Sequence, residues 1–167
     1  MARGPSYVEV DIHVNVRSDE AQDRLEGMLD RTKNMKPVLK WGVEKLERAF
    51  SENFTMMGLL SAKAMLKGAW EPLDPVYGAW KATRFPGAPP LVRTGGLFRS
   101  IANISSNAES RLDDQSAVLA VNSKIAKFHQ YGTENMPARP IVFIPRDFDR
   151  EIGKKAGQYI KQGSRVT

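Results

Sequence analysis

The sequence predicts an α+β fold: an antiparallel sheet of about four strands, packed by N-terminal and C-terminal helices and interrupted by a long Pro/Gly loop. Three observations predict it. Tyr7 to Arg17 alternates strictly between apolar and polar residues, the following segments carry apolar residues at mixed three-and-four spacing, and the second half holds short apolar runs joined by polar turns.

The first strand places Val8, Val10, Ile12, Val14 and Val16 on one face and Glu9, Asp11, His13, Asn15 and Arg17 on the other, the pattern of a half-buried strand. Ser18 stands at an N-cap position, and Asp19 and Glu20 bring negative charge to the positive end of a helix dipole, so a helix should run to about Lys33. Pro37 marks a kink or a fresh start, with Asn34 as a candidate cap. From there Val38, Trp41, Leu46, Ala49 and Phe50 make the apolar stripe of an amphipathic helix ending near Asn53. Met56 to Ala69 is a further helical candidate, weakened by Gly58 and Gly68.

Residues 70–94 contain Pro72, Pro75, Pro86, Pro89 and Pro90 among several glycines, a composition that predicts an extended loop. A loop of this length is usually functional or ordered on a partner. Strands are predicted over Ser100 to Ser106 and Ala117 to Asn122, with a hairpin loop over residues 107–116. A short helix from Lys124 to Tyr131 should stop at Gly132, Ile141 to Ile144 should form a last strand, and Asp147 to Lys161 a last helix buried through Phe148, Ile152 and Ala156. The tail, 162–167, is polar and expected to fray.

The 167 residues, 41% hydrophobic, fit a single domain with one core spanning 1–167. Without cysteine, neither a disulfide nor a thiolate metal site is possible. The N-terminus lacks the apolar stretch of a signal peptide, so a soluble protein with no membrane partner is expected. The formal charge of +6, from 25 basic against 19 acidic residues, is compatible with DNA nearby and equally with solubility and an acidic protein neighbour.

Candidate chemistry is sparse. His13 falls on the polar face of the first strand, and His129 has no Asp or Glu at a metal-ligand spacing, so both are read as structural or solvated residues rather than catalytic ones. Thr94-Gly95-Gly96 lacks the lysine and hydroxyl of a nucleotide loop. Thr94 is better read as the cap of a helical turn whose Leu97 enters the core. Asp113 and Asp114 read as a solvated turn. The basic residues Arg146, Arg150, Lys154, Lys155, Lys161 and Arg165 are interleaved with acids and carry no base-stacking aromatics, so an ordinary solvated face is preferred over a nucleic-acid surface. No catalytic residue, metal or cofactor is expected.

Two stretches do more than alternate: Leu91-Val-Arg-Thr-Gly-Gly-Leu-Phe-Arg-Ser-Ile101, and Ile125-Ala-Lys-Phe-His-Gln-Tyr-Gly132 followed by Met136-Pro-Ala-Arg-Pro-Ile-Val-Phe143. With Trp70-Glu-Pro-Leu73 and Lys81 ahead of them, this ordered set resembles the virion-morphogenesis or tail-completion family of tailed phages. The resemblance covers roughly Trp70 to Asp147. Ile125 and Ile141 depart from the aromatics common in that family, and the N-terminal half shows no matching pattern.

The resemblance implies a structural virion protein, not an enzyme: a tail terminator that closes into a ring, typically sixfold, at the head-proximal end of the tail. It implies as partners other copies of itself, the tail tube protein and the head-completion or connector protein, with DNA passing through the lumen. It implies synthesis in the host cytoplasm and residence in the virion. The motif or interface residues it marks are Trp70, Leu73, Leu91, Thr94, Gly95, Leu97, Ser100, His129, Gln130, Gly132, Pro137, Ala138, Arg139 and Pro140. Trp80 and Phe85 are expected as inter-subunit anchors of the loop, because aromatic groups carry much interface energy. Pro137 and Pro140 stiffen the chain around Arg139, which is suited either to a bidentate contact with a carboxylate or to closing its own domain. The rivals are another neck component such as a head-completion adaptor, a nucleic-acid-binding protein using the basic C-terminal helix, and, least favoured, a hydrolase using His129.

Overall fold

The computed structural model describes residues 18–163. In chain order its elements are α1 (Ser18–Lys33), α2 (Lys36–Thr55), α3 (Leu59–Met65), α4 (Pro75–Arg84), α5 (Gly96–Ala102), a 3-10 turn (Ile104–Ser106), β1 (Arg111–Leu112), β2 (Ala117–Val118), α6 (Ala126–Tyr131) and α7 (Phe148–Gln162). The fold is α+β with helices dominant. The strand expected over residues 7–17 lies outside the described residues.

The apolar stripe on α2 makes it the central helix. Val38, Val43, Leu46, Phe50 and Phe54 recur on its inner face, all buried, and it packs against α5, α7 and α3. Pro37 sits in its first turn, where a missing N–H costs nothing. Gly42 lets α7 approach: a Cβ there would lie 3.0 Å from Ile152 Cδ1 and 3.3 Å from Phe148 Cζ. Phe50 stacks edge-on against Phe143, and Phe54 against both Trp70 and Phe98, in a cluster completed by Leu97, Ile101, Ile104 and Ile141. Each such side chain, fully buried, contributes about 1.5–3 kcal/mol. Outside this core α1 keeps Leu25 and Leu29 exposed and is tied to α7 by Arg31, whose Nε donates to the carbonyl of Ile160 at 2.8 Å.

The sheet departs from expectation. Among the described residues it has two strands, with Arg111 opposite Val118 and Leu112 opposite Ala117, rather than about four. Residues 100–106, predicted as a strand, belong to α5 and the 3-10 turn. Ile101 and Ile104, both completely buried, are three apart and fit one helix face. The second strand of the predicted hairpin shrinks to Ala117–Val118. Ile141 to Ile144, expected as the last strand, belongs to neither β1 nor β2. The helical reading of 56–69 holds only for α3, which Gly58 opens at φ 85° and Leu66 closes in the left-handed region. Residues 70–94 are not a continuous loop, because α4 lies inside them: Asp74 accepts from the N–H groups of Val76 and Tyr77, and Pro75 occupies the first turn.

Candidate functional site

The residues marked by the sequence motifs converge, although they come from segments far apart in the chain. Trp70 and Pro140 meet directly: the Pro140 carbonyl accepts from the Trp70 indole Nε1 at 3.0 Å and also from Asn53 Nδ2 at 3.2 Å. Asn53 is fully buried, and its Oδ1 accepts from the N–H of Ser61 at 2.9 Å, so one amide joins α2, α3 and the Pro140 segment. Sequence reading passed over Asn53 as a helix boundary. Its only signal was a polar residue in register with the apolar stripe of Leu46 and Phe50.

Arg139 turns inward. It is 4% exposed, with Nε donating to the carbonyl of Glu71 at 3.1 Å and Nη2 to that of Pro72 at 2.9 Å. Within its own chain the side chain thus grips a pair of successive carbonyls, the contact expected of an Arg that closes its own domain. Lys81 is equally hidden, 3% exposed, and donates through Nζ to the carbonyl of Pro89. The two cations brace both ends of α4: Arg139 holds the entry at residues 71–72 and Lys81 the exit at Pro89. In that braced exit Leu91 adopts φ 65°, an unusual conformation for a bulky residue.

Gln130 accounts for the unpaired segment after Pro140. Its Oε1 accepts from the N–H groups of Ile141 and Val142, at 2.9 and 3.0 Å, and its Nε2 donates to the carbonyl of Val142 at 2.9 Å. The side-chain amide thus satisfies backbone groups that a neighbouring strand would otherwise satisfy. Arg139 N donates to the carbonyl of His129 at 2.6 Å, which keeps α6 against this stretch. Gly132 ends α6 at φ 78° and ψ −178°, next to Pro137 and the exposed Ala138.

The other marked residues have plainer places. Thr94 does not cap α5. The N-cap is Gly95 at φ 76°, with no side-chain cap hydrogen bond, while Leu97 is buried as expected. Ser100 Oγ donates to the carbonyl of Leu97 at 2.8 Å, and the Ser100 carbonyl accepts from Asn107 Nδ2 at 3.1 Å. Trp80 is 47% exposed, stacks on Tyr77 at 5.5 Å between centroids and meets Phe85 edge-on at 5.9 Å.

Leu73, Lys81, Leu91, Thr94, Gly95 and Leu97 line one side of a cavity of about 410 Å³. His129, Pro137 and Arg139 line it as well, so eight of the fourteen motif or interface residues, together with Lys81, face a single space. Trp70, Ser100, Gln130, Gly132, Ala138 and Pro140 are not in its lining. Burial pushes the Lys81 ammonium below its ordinary value. Burial also lowers the Arg139 guanidinium, against the opposing effect of Glu71. His129 is held below the ordinary imidazole value, first by burial and then by Arg139, and its Nδ1 is buried with no hydrogen-bond partner.

A pH dependence follows. Below the free imidazole value of 6.5 the unfolded chain takes up a proton that the folded His129 resists, so stability falls as pH drops through that value toward the lower folded pKa. Between about pH 7.5 and about pH 5.5 the thermal midpoint should fall further in the wild type than in His129→Gln. Equal falls would show that His129 contributes nothing to the acid sensitivity.

The remaining candidates are ordinary. Asp113 and Asp114 lie at the exposed β1–β2 turn, where the Asp113 N–H donates to the carbonyl of Ser116 at 2.9 Å. Among the described residues no group of His, Asp and Glu is placed to hold a metal, and no helix is long and apolar enough to cross a membrane. On α7, Arg150 pairs with Asp147 at 2.7 Å, Lys155 lies 5.3 Å above the Trp41 ring, and Lys45 pairs with Glu151. His13 and Arg165 lie outside the described residues. Comparison with protein-family models, with curated proteins and with solved structures returns no match.

Proposed function

We propose that this chain is a structural subunit of a tailed phage, a tail-completion or tail-terminator protein that closes into a ring where the tail tube meets the head connector. The observation that carries the reading is the exposed surface of α4 and its bracing. Val76, Tyr77 and Trp80 are 80%, 42% and 47% exposed, on a helix whose two ends are pinned by the buried Arg139 and Lys81. A rigid element that presents aromatic groups to solvent fits a docking function, because little ordering entropy is lost when a partner covers it.

In the proposed assembly, α4 of each copy meets its neighbour head-to-tail around a closed ring, sixfold by the resemblance. One face of the ring would meet the tail tube protein and the other the head-completion protein, with DNA passing through the lumen. The chain would be made in the host cytoplasm and reside in the virion.

Cryo-electron microscopy of particles carrying this chain tests the assignment. A ring of the subunit on the head-proximal end of the tail is expected, and a position elsewhere in the neck would instead make it an adaptor. Trp80→Ala should abolish ring formation while the thermal midpoint of the isolated chain stays within a few degrees of wild type, since an exposed side chain contributes little to folding. Rings that form normally from Trp80→Ala would remove α4 from the interface.

A further inference from the structure

Lys81 and Arg139 are two buried cations lining one cavity of about 410 Å³, and among the described residues neither has a carboxylate within ion-pair distance. Taking a charge out of water without an opposite charge is expensive, and carbonyl acceptors offset only part of that expense. The other titratable groups in the lining are Arg93, His129, Tyr77 and Asp74. Asp74 caps α4 through Oδ1, and Lys81, Arg93 and Arg139 outnumber it, so the cavity is on balance positive. Glu71, whose carbonyl accepts from Arg139, adds a partial counter-charge from outside the lining.

Donor capacity remains. The side-chain hydrogen bonds of Arg139 come from Nε and Nη2, and Nη1 makes none among the described residues. His129 lines the same cavity, and with its Nδ1 buried and unpartnered it adds a titratable ring beside the ligand rather than an accessible donor. Beside these polar groups stand Leu73, Leu91, Leu97 and Met136, an apolar lining that a bare inorganic ion would not use.

We infer that this cavity receives a carboxylate carried on a short aliphatic stem, its oxygens beside Arg139, Lys81 and His129 and its stem against the leucines and Met136. A planar carboxylate suits the free edge of a guanidinium, and its two oxygens need fewer donors than the three of a phosphate. The carboxylate comes either from a small free acid or from an Asp or Glu side chain of a second copy of this chain. Tyr77 lines the cavity and also stacks on Trp80, so the cavity and the exposed aromatic surface of α4 are continuous. The inference stands on the cavity and does not depend on the phage reading.

Butyrate reproduces the side chain of Glu, and His129 supplies the readout. In a pH titration followed by NMR, with the His129 signal assigned by its loss in His129→Gln, saturating sodium butyrate should raise the imidazole midpoint by at least about half a pH unit, because a nearby anion favours the imidazolium. The neutral isostere butyramide should leave it unmoved. Thr94→Glu places a carboxylate at an exposed position in the lining, and should raise the midpoint without added ligand and blunt the butyrate response. This variant reports on the cavity without removing either buried cation. A midpoint unmoved by butyrate, an equal response to butyramide, or a larger response to inorganic phosphate than to butyrate would each overturn the inference. Sedimentation of the wild type then separates the sources: butyrate disperses an oligomer if a second copy supplies the carboxylate, and leaves the sedimentation coefficient unchanged if a free acid does.

Discussion

Gly132→Ala should lower the stability of the folded chain by roughly 3 kcal/mol, about a hundredfold in the ratio of folded to unfolded molecules. Gly132 combines φ 78° with ψ −178°, a region open almost solely to glycine. Strain is only part of the effect: a Cβ there would lie 2.8 Å from the Ala138 N and 2.9 Å from the Met136 O, both backbone atoms with little room to give. The methyl group would therefore push away the segment that carries Arg139 and Pro140. Gly153→Ala is the control. Gly153 lies inside α7, where a Cβ meets nothing within 4 Å, and alanine there should stabilise by up to about 1 kcal/mol through helix propensity. Urea unfolding of both variants decides the matter. A Gly132→Ala midpoint equal to the wild type would mean that the turn relaxes freely and does not hold the Arg139 segment in place.

Most helices were legible in the sequence, and most strands were not. α2 and α7 announce themselves through apolar positions three and four apart and α1 through its cap and acidic first turn, and each lies within a residue or two of its predicted bounds. α4 was readable in principle, because Asp74-Pro75 is a helix-start signal, but the surrounding prolines and glycines hid it. Ile101 and Ile104 could not be assigned by spacing in so short a run, since a strand and a helix both accommodate a few apolar residues between polar ones. Ile141 to Ile144 was read as a strand because its composition is that of one. What it lacks is a place in the β1–β2 ladder, and Gln130 supplies several of the hydrogen bonds that a ladder would give.

Of the candidate site, the residue identities were legible and their contacts were not. The motifs marked Trp70, Arg139 and Gln130 as a set, yet nothing in their spacing says that all of them fasten the Pro140 segment, or that Lys81 is buried. Asn53 was missed because one polar residue near a helix end looks like a boundary. Long-range pairings of this kind depend on how the helices pack, which a single sequence does not reveal when the contacts fall between segments tens of residues apart.

Trp70→Ala should be the most damaging side-chain truncation in this region, with a loss of roughly 4 kcal/mol. The indole is 7% exposed and sits edge-on to Phe54, with ring centroids 5.5 Å apart. It also fills the space over Gly58, where a Cβ would approach Cδ1 to within 2.2 Å, so the backbone and the indole are fitted to each other. Removing the ring opens a cavity between α2, α3 and the Pro140 segment, and it removes one of the two donors to the Pro140 carbonyl. Trp70→Phe separates the two effects. It keeps most of the packing and deletes the Nε1 donor, but Asn53 Nδ2 still serves the carbonyl, so this variant should lose about 1–2 kcal/mol. If Trp70→Phe is instead as damaging as Trp70→Ala, the hydrogen bond to Pro140 dominates and the packing account fails. The comparison also bears on the proposed assembly. Trp70 begins the stretch that Arg139 fastens through the carbonyls of Glu71 and Pro72, so losing the indole hydrogen bond should loosen the entry to α4 before it disturbs the α2–α7 packing. Hydrogen exchange in Trp70→Phe should then rise over residues 71–84 while the interior of α2 stays protected, and ring formation should weaken in step with that local loosening.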